Sequence, residues 1–168
     1  VVARRFGLGD ATFAGRLDPD GAWALDVDRL LLVLQRAIDA GRPFVLLGTA
    51  FNFVHLVEAF ECASRRYVLP PGSRVMETGG YKGRSREMPK ADLHASLVRH
   101  LGVAPDHIVC EYGMSELSSQ AYDRVCGDRE DSRRFRFPPW ARALVISPET
   151  GREVDDGGIG LIRVFDLA

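Results

Sequence analysis

Residues 109–120 read Val-Cys-Glu-Tyr-Gly-Met-Ser-Glu-Leu-Ser-Ser-Gln. In this segment an apolar run is followed by an aromatic residue, a glycine, a hydroxyl and a carboxylate. The apolar run predicts a buried strand, and open α/β sheets bind ligands at the carboxyl ends of their strands. Tyr112 offers a flat face to a base, and Gly113 lets the backbone approach a ligand closely. Ser115 can donate to a phosphate oxygen, and Glu116 can hold Mg²⁺ through oxygen. These residues predict a site for a nucleotide and its metal ion.

A second candidate segment is the glycine-rich run 77–87, which reads Glu-Thr-Gly-Gly-Tyr-Lys-Gly-Arg-Ser-Arg-Glu. It matches neither the P-loop nor the Gly-x-Gly-x-x-Gly fingerprint, and a tight turn after a strand would explain its glycines. Its combination with residues 112–116 favours a ligand-binding loop. Lys82, Arg84 and Arg86 would there meet a phosphate or a carboxylate substrate, or belong to a solvated loop.

The elements that must position these segments follow from hydrophobic periodicity. The fold class predicted is α/β, a parallel βαβαβ unit followed by a β-rich segment. Each strand of the unit ends in a polar segment that contains glycine, so we expect the three ends to gather at one sheet edge. The first strand is expected to be buried on both faces. The predicted elements are helices at 28–40, 52–64 and 90–101, strands at 44–47, 73–78 and 108–111, and two further strands at 143–146 and 160–165 around a turn at 148–151.

Composition limits the classes of function. The chain has 168 residues, and its apolar content of 46% and charged content of 27% are ordinary for a globular domain. The net charge of −1 gives no electrostatic case for nucleic acid or an anionic membrane. The longest aliphatic run, 30–34, is far shorter than the roughly 20 residues of a membrane span. No signal peptide is visible, and we expect a cytoplasmic protein. Residues 128–136 mix both charge signs and predict a solvated surface loop.

Cysteine and histidine spacing favours no metal site. The three cysteines are widely separated without a Cys-x-x-Cys pair, which argues against disulfides and against zinc, and favours a reducing compartment. Cys110 lies inside a predicted strand and is expected to be a small buried hydrophobe. None of the four histidines shows a metal-ligand pairing in the sequence: His55, His94, His100 and His107.

The segment Tyr112-Gly113-Met114-Ser115-Glu116 resembles the aromatic-Gly-x-Thr/Ser-Glu motif of the adenylate-forming superfamily, which includes the acyl-CoA synthetases. Residues 77–87 lie where that superfamily carries its glycine-rich adenine loop. The amino-acid sequences of both segments, and of residues 118–122 and 138–143, are most similar to those of the acyl-protein synthetases of bacterial luminescence, the LuxE-like family. The resemblance covers most of the chain from about Gly41 onward.

The resemblance implies ATP-dependent activation of a carboxylic acid, a fatty or other acyl acid, to acyl-AMP. Transfer to a thiol would follow, on a protein cysteine, a carrier protein or CoA. It implies ATP and Mg²⁺ as cofactors and a reductase subunit as a partner. The resemblance implies that Ser115 and Glu116 are catalytic residues and that Glu116 is the metal ligand. The implied nucleotide contacts are Gly79, Gly80, Tyr81, Lys82, Gly83, Tyr112, Gly113, Met114 and Ser115, and the implied substrate pocket is Thr49, Phe51 and His55.

The resemblance also implies that residues 1–168 are the central part of an adenylation domain, a single partial domain. The phosphate loop would precede Val1, and the ribose-binding aspartate would follow Ala168. Residues 1–168 alone are therefore expected to be inactive. Asp166 lacks the Thr-Gly or Thr-Glu context of that aspartate and is left unassigned. Two alternatives stay open, namely a non-catalytic domain for nucleotide binding or assembly, and a different Rossmann-like domain.

Overall fold

The computed structural model describes residues 12–21, 23–80, 88–129 and 132–167. In this part the chain forms three α-helices, eight strands and a 3-10 turn at Pro105–His107. In chain order the elements are β1 (Gly15–Leu17), β2 (Trp23–Leu25), α1 (Val27–Asp39), β3 (Val45–Thr49), α2 (Ala50–Cys62), β4 (Arg74–Thr78), α3 (Lys90–Leu101), β5 (Ile108–Tyr112), β6 (Ala121–Tyr122), β7 (Ala141–Ile146) and β8 (Leu161–Asp166).

The central sheet has the strand order β3-β4-β5-β6. β3, β4 and β5 are parallel neighbours, with α2 and α3 as the connections between them, so the predicted βαβαβ unit is confirmed. β6 is a two-residue strand that pairs antiparallel with the carboxyl end of β5, with Tyr112 opposite Ala121. The sequence analysis missed this strand. β7 and β8 form a separate antiparallel hairpin, which is the β-rich segment expected after the unit.

The pleat of the sheet divides its residues between two faces. One transverse row, formed by Gly48, Glu77 and Cys110, lies on the face where β4 and β5 bury their side chains. The next row, Thr49, Thr78 and Glu111, lies on the opposite face and is only half-buried. Because successive side chains of a strand point to opposite faces, adjacent residues of β4 and β5 serve two different environments.

The hydrophobic core lies between the helices and the first of these faces. It is one cluster contributed by α1, α2, α3 and the buried residues of β4 and β5, including Leu34, Phe60, Leu97, Val75 and Ile108. Burying such a side chain contributes about 1.5–3 kcal/mol each. The opposite face of β3 is exposed, with Leu47 at 65%. The prediction of a first strand buried on both faces is wrong, because β3 is the edge strand of this sheet and only one of its faces meets the helices.

Local sequence fixes the helix ends. The Asp26 carboxylate accepts from the Arg29 amide at 3.0 Å and caps α1. Thr49 Oγ1 accepts from the Asn52 amide at 3.2 Å and caps α2. Such caps contribute about 0.5–2 kcal/mol. Gly102 adopts φ of 62° immediately after α3, a conformation that glycine reaches without steric cost.

No helix within the described residues has the length and apolar character needed to cross a bilayer.

Candidate nucleotide site

An open cleft lies at the carboxyl ends of β4 and β5. Thr78 and Glu111, which are register partners on these two strands, form its floor, and the Thr78 hydroxyl donates to Glu111 Oε2. Because both strands run in the same direction, their terminal loops meet at this edge. The residues that line the cleft are Met76, Thr78, Glu111, Gly113, Met114, Ser115, Glu116, Gln120 and Tyr122.

A tight turn presents Ser115 and Glu116 to this cleft. The Leu117 amide donates to the Met114 carbonyl at 3.1 Å, so Ser115 and Glu116 occupy the two central positions of a β-turn, and both are exposed. Gly113 precedes the turn, and a side chain there would overlap the Glu111 carboxylate and meet Gln120 Cγ at 3.3 Å. A side chain at position 113 would therefore require the Glu111 carboxylate to move.

Tyr112 is half-buried and packs on two aromatic rings. Its ring centroid lies 5.8 Å from that of Phe135 and 5.9 Å from that of Phe137. The Tyr112 hydroxyl lies 3.7 Å from Met114 Sδ. Residues 128–136, which were predicted to be a solvated surface loop, are mostly exposed where the structure describes them, with Asp128 and Arg133 half-buried. Three backbone hydrogen bonds tie this loop to β6 and to the residue after it: the Arg134 amide donates to the Asp123 carbonyl, the Arg136 amide donates to the Tyr122 carbonyl, and the Tyr122 amide donates to the Arg136 carbonyl.

The glycine pair begins beside the cleft. Gly79 follows Thr78 directly and adopts φ of 65°, and among the described residues, chain neighbours aside, no atom lies within 4 Å of where a Cβ would stand on Gly79 or Gly80. Neither glycine is among the lining residues of the cleft. Tyr81, Lys82 and Gly83 lie outside the described residues. The structure therefore brings the start of the glycine-rich segment to the predicted sheet edge, and the nucleotide roles of its residues stay predictions.

The predicted substrate-pocket residues lie at the end of β3 and in the first turns of α2, and Thr49 is the register partner of Thr78 on the cleft floor. Thr49 caps the helix through its hydroxyl. Phe51 makes an edge-on contact with His55, with ring centroids 4.3 Å apart, and His55 Nδ1 lies 3.2 Å from Glu58 Oε2. None of the three lines the cleft, and their contact with a substrate stays a prediction.

The loop after the turn is fastened to the end of the β7–β8 hairpin. Asp166 accepts through Oδ2 from the Ser119 amide at 2.8 Å and through Oδ1 from the Ser119 hydroxyl at 3.0 Å. Trp140 Nε1 donates to the same hydroxyl at 2.8 Å. Asp166, which the sequence left without a role, therefore anchors the segment that carries Ser115 and Glu116.

Asp123 and Arg133 support β5 from the side of β6. Asp123 Oδ1 accepts from the Cys110 amide at 2.7 Å, and its Oδ2 accepts from Arg133 Nη1 at 2.6 Å. Arg133 Nη2 also donates to the Ile108 carbonyl at 2.9 Å. Burial alone would raise the pKa of Asp123, but the Cys110 amide and the Arg133 guanidinium lower it below its ordinary value.

Behind the cleft, on the helix side of the sheet, three potential metal ligands meet. Glu77, His94 and Cys110 present ligand atoms that all lie within 4.8 Å of one another. The sequence analysis missed this cluster because its members come from β4, α3 and β5 and share no local spacing. Burial, then the charges of Glu77 and Asp123, raise the pKa of the Cys110 thiol to about 12, while Lys90 acts in the opposite direction.

Comparison with known proteins places these features in a family. The chain is 25% identical over 148 residues to the long-chain-fatty-acid–luciferin-component ligase of Aliivibrio fischeri. The aligned region covers 86% of this chain and 37% of the ligase. The chain thus spans little more than a third of the length of that relative.

Two solved structures share the fold. ATP-bound MatB from Rhodopseudomonas palustris is 23% identical, with a TM-score of 0.57 over 84% of this chain and 25% of that protein. A long-chain-fatty-acid-CoA ligase from Archaeoglobus fulgidus is 16% identical, with a TM-score of 0.53 over 81% of this chain and 27% of the ligase. The family described as "Acyl-protein synthetase, LuxE" matches residues 16–168. This chain belongs to the LuxE acyl-protein synthetase family.

Proposed function

We propose that the complete protein activates a carboxylic acid with ATP, forming acyl-AMP and pyrophosphate, and passes the acyl group to a thiol. The family and the ligase from Aliivibrio fischeri, whose name concerns a long-chain fatty acid, support acid activation. The ATP-bound relative with the same fold supports ATP as the co-substrate. In the reaction a carboxylate oxygen attacks the α-phosphorus, and the P–O bond to pyrophosphate breaks.

The observation that carries this proposal is the position of the Met114–Leu117 turn at the carboxyl edge of β5. It holds a hydroxyl and a carboxylate, Ser115 and Glu116, in an open cleft whose floor carries a second carboxylate, Glu111. Hydroxyl and carboxylate oxygens suit a phosphate and its hard cation. Gly79 and Gly80 follow β4 directly, at the same sheet edge as this turn. The donor set therefore fits ATP with Mg²⁺.

In this assignment each residue has one task. Ser115 donates to the α-phosphate, and Glu116 binds Mg²⁺, which supplies charge compensation for the phosphates. The family resemblance assigns the adenine to Tyr112, Gly79 and Gly80, none of which is among the residues that line the cleft. The protein's contribution is mainly positioning and electrostatic stabilisation, because the acid itself is the nucleophile.

The thiol acceptor is a protein cysteine, a carrier protein or CoA, and a reductase subunit is the proposed partner. An acyl-AMP anhydride is an activated ester, so thiolate attack on its carbonyl forms a thioester and releases AMP. Membership of an acyl-protein synthetase family favours a protein cysteine as the acceptor.

Replacing Glu116 by Gln in the complete protein tests the proposal. The carboxylate is exposed, so we expect the free energy of unfolding to change by no more than about 0.5 kcal/mol. Formation of acyl-AMP should fall at least about tenfold, because a neutral amide binds Mg²⁺ poorly and leaves the charge of ATP uncompensated. Pyrophosphate release across a Mg²⁺ titration, with a thermal melt, measures both effects.

Glu149→Gln is the matched control, since Glu149 is an exposed glutamate in the β7–β8 turn. It should leave both the rate and the melting temperature unchanged. An equal pyrophosphate release by wild type and Glu116→Gln at limiting Mg²⁺ would remove Glu116 from the site. Absence of acid-dependent pyrophosphate release from the wild-type protein with every acid tried would favour the non-catalytic alternative.

A further inference from the structure

The cluster behind the cleft brings three different ligand atoms together in the protein interior. His94 Nε2 lies 2.7 Å from Glu77 Oε2, and Cys110 Sγ lies 3.6 Å from each of these two atoms. Glu77 is 2% exposed and Cys110 is 1% exposed. They face the helix layer because they follow the buried alternation of β4 and β5, and His94 reaches them from one turn inside α3.

The distances among the three atoms are close to those around a tetrahedral zinc ion. With Zn–S of about 2.3 Å and Zn–N or Zn–O of about 2.05 Å, a sulfur-to-nitrogen distance of 3.6 Å corresponds to an angle of about 110°. The same calculation holds for sulfur and the Glu77 oxygen. Only the pair formed by His94 and Glu77, now at hydrogen-bond distance, would need to open, to about 3.3 Å.

We propose that Glu77, His94 and Cys110 bind Zn²⁺, with a water molecule in the fourth position. A mixed set of one carboxylate, one imidazole and one thiolate selects zinc over Mg²⁺ or Ca²⁺, which take oxygen ligands. Binding replaces the bond from the Cys110 thiol to its proton by a Zn–S bond and releases that proton to solvent. Without the ion, His94 and Glu77 hydrogen-bond to each other.

The surroundings of the cluster suit this exchange. Lys90 Nζ lies 4.0 Å from Glu77 Oε1, and the Lys90 side chain is half-exposed, so it can turn to solvent when the ion enters. Arg133 Nη1 lies 3.8 Å from Cys110 Sγ, but its charge is paired with Asp123. The bond from the Cys110 amide to Asp123 fixes the backbone of the thiol ligand. The carboxylate and the thiolate together neutralise the two charges of the zinc ion.

Zinc here would join α3 to both strands directly behind the floor of the cleft. Glu77 and Cys110 each immediately precede a cleft residue, Thr78 and Glu111 respectively. The ion would thus stabilise the strand ends without contacting a ligand in the cleft. This proposal stands apart from the proposed function, because its observations lie on the opposite face of the sheet.

Metal analysis and cobalt substitution of the complete protein test the proposal. After purification without chelators and dialysis against metal-free buffer, we expect about one zinc ion per chain. Replacement by Co²⁺ should give a thiolate-to-cobalt charge-transfer absorption and the strong visible bands of a tetrahedral site. Cys110→Ser should lose the charge-transfer absorption, and His94→Gln should lose the bound metal. Cys62→Ser and His55→Gln, at exposed positions, are the controls and should keep both.

A melting experiment separates metal binding from a folding defect. EDTA should lower the melting temperature of the wild-type protein and of Cys62→Ser, and should leave that of Cys110→Ser unchanged. The proposal is overturned if neither zinc nor a cobalt charge-transfer absorption is found in folded wild type. It is also overturned if Cys110→Ser keeps that absorption, or if EDTA has the same effect on the two cysteine variants. A change in adenylation with intact zinc would concern the cleft alone.

Discussion

Replacing Asp123 by Ala should destabilise the end of β5 strongly. Asp123 is only 4% exposed, and its two oxygens accept from the Cys110 amide at 2.7 Å and from Arg133 Nη1 at 2.6 Å. These bonds hold the strand that leads directly into Tyr112. The substitution therefore tests whether a buried pair outside the cleft maintains the carboxyl end of the strand.

The expected magnitude follows from the groups that lose their partner. A buried backbone amide without an acceptor costs about 1–3 kcal/mol, and loss of a hydrogen bond to a charged group costs about 1.5–3 kcal/mol. Arg133 is about one-quarter exposed and can regain hydration, so the total cost should lie near the lower limit of the sum of these two ranges. We expect Asp123→Ala to lower the free energy of unfolding by about 3 kcal/mol. Arg133→Met leaves a buried carboxylate unpaired and should cost about 3–5 kcal/mol.

The effect should also depend on pH in a defined direction. The pKa of Asp123 in the folded protein is lower than its ordinary value of 3.8, so its ionised form stabilises the fold. This contribution is fully present above pH 3.8 and is lost as the pH falls through the folded pKa. The difference in stability between wild type and Asp123→Asn should be constant from about pH 5 to 8 and should decrease in more acidic solution.

Urea denaturation of the complete protein, together with hydrogen exchange at the Cys110 amide, measures the change. Asp156→Ala, at an exposed aspartate, is the control and should stay within about 0.5 kcal/mol of wild type. Unchanged exchange at the Cys110 amide in Asp123→Ala would refute the assigned hydrogen bond. Strict additivity of Asp123→Asn and Arg133→Met in the double variant would refute the pairing.

Three further substitutions have distinct expected outcomes. Gly79→Ala should cost about 1–2 kcal/mol in a thermal melt, because φ of 65° is unfavourable for alanine even where space is open, and no loss would contradict that conformation. Gly113→Ala should push the Glu111 carboxylate from its present position and lower acyl-AMP formation by about 10- to 100-fold, whereas an unchanged rate would show that the loop adapts. Asp166→Ala should speed hydrogen exchange in residues 113–120 by freeing Ser119, and unchanged exchange would mean that other contacts hold this loop.

The regular elements could be predicted from the sequence because their signals are local. The helix over Lys90–Leu101 has apolar residues at helical spacing and a glycine after its end, and its predicted bounds agree with the structure. β6 has only two residues, too few for any periodicity. The exposure of Leu47 depends on which strand lies at the edge of the sheet, and hydrophobicity alone does not contain that information.

The position of the candidate site could be predicted where its residues belong to one short segment. It could not be predicted where residues from distant segments come together. Residues 112–116 form a continuous motif, so their placement at a strand end followed from the sequence. Thr78 and Glu111 meet only through the register between β4 and β5, which lie 33 residues apart in the chain at this pair. The partial burial of Arg133 within its exposed loop was not predictable, because the charge pattern does not show that Asp123 is its partner.

The alternation of two adjacent strands connects the cleft and the cluster behind it. Glu77 and Thr78 on β4, and Cys110 and Glu111 on β5, are sequence neighbours that the pleat sends to opposite faces. A slip of β5 by one residue would send Cys110 to the open face and Glu111 into the helix layer, because side chains alternate with a period of two. The contacts that hold Cys110 in the interior therefore also hold Glu111 beside Thr78. Interactions on the helix side, by fixing the register, determine the geometry of the cleft.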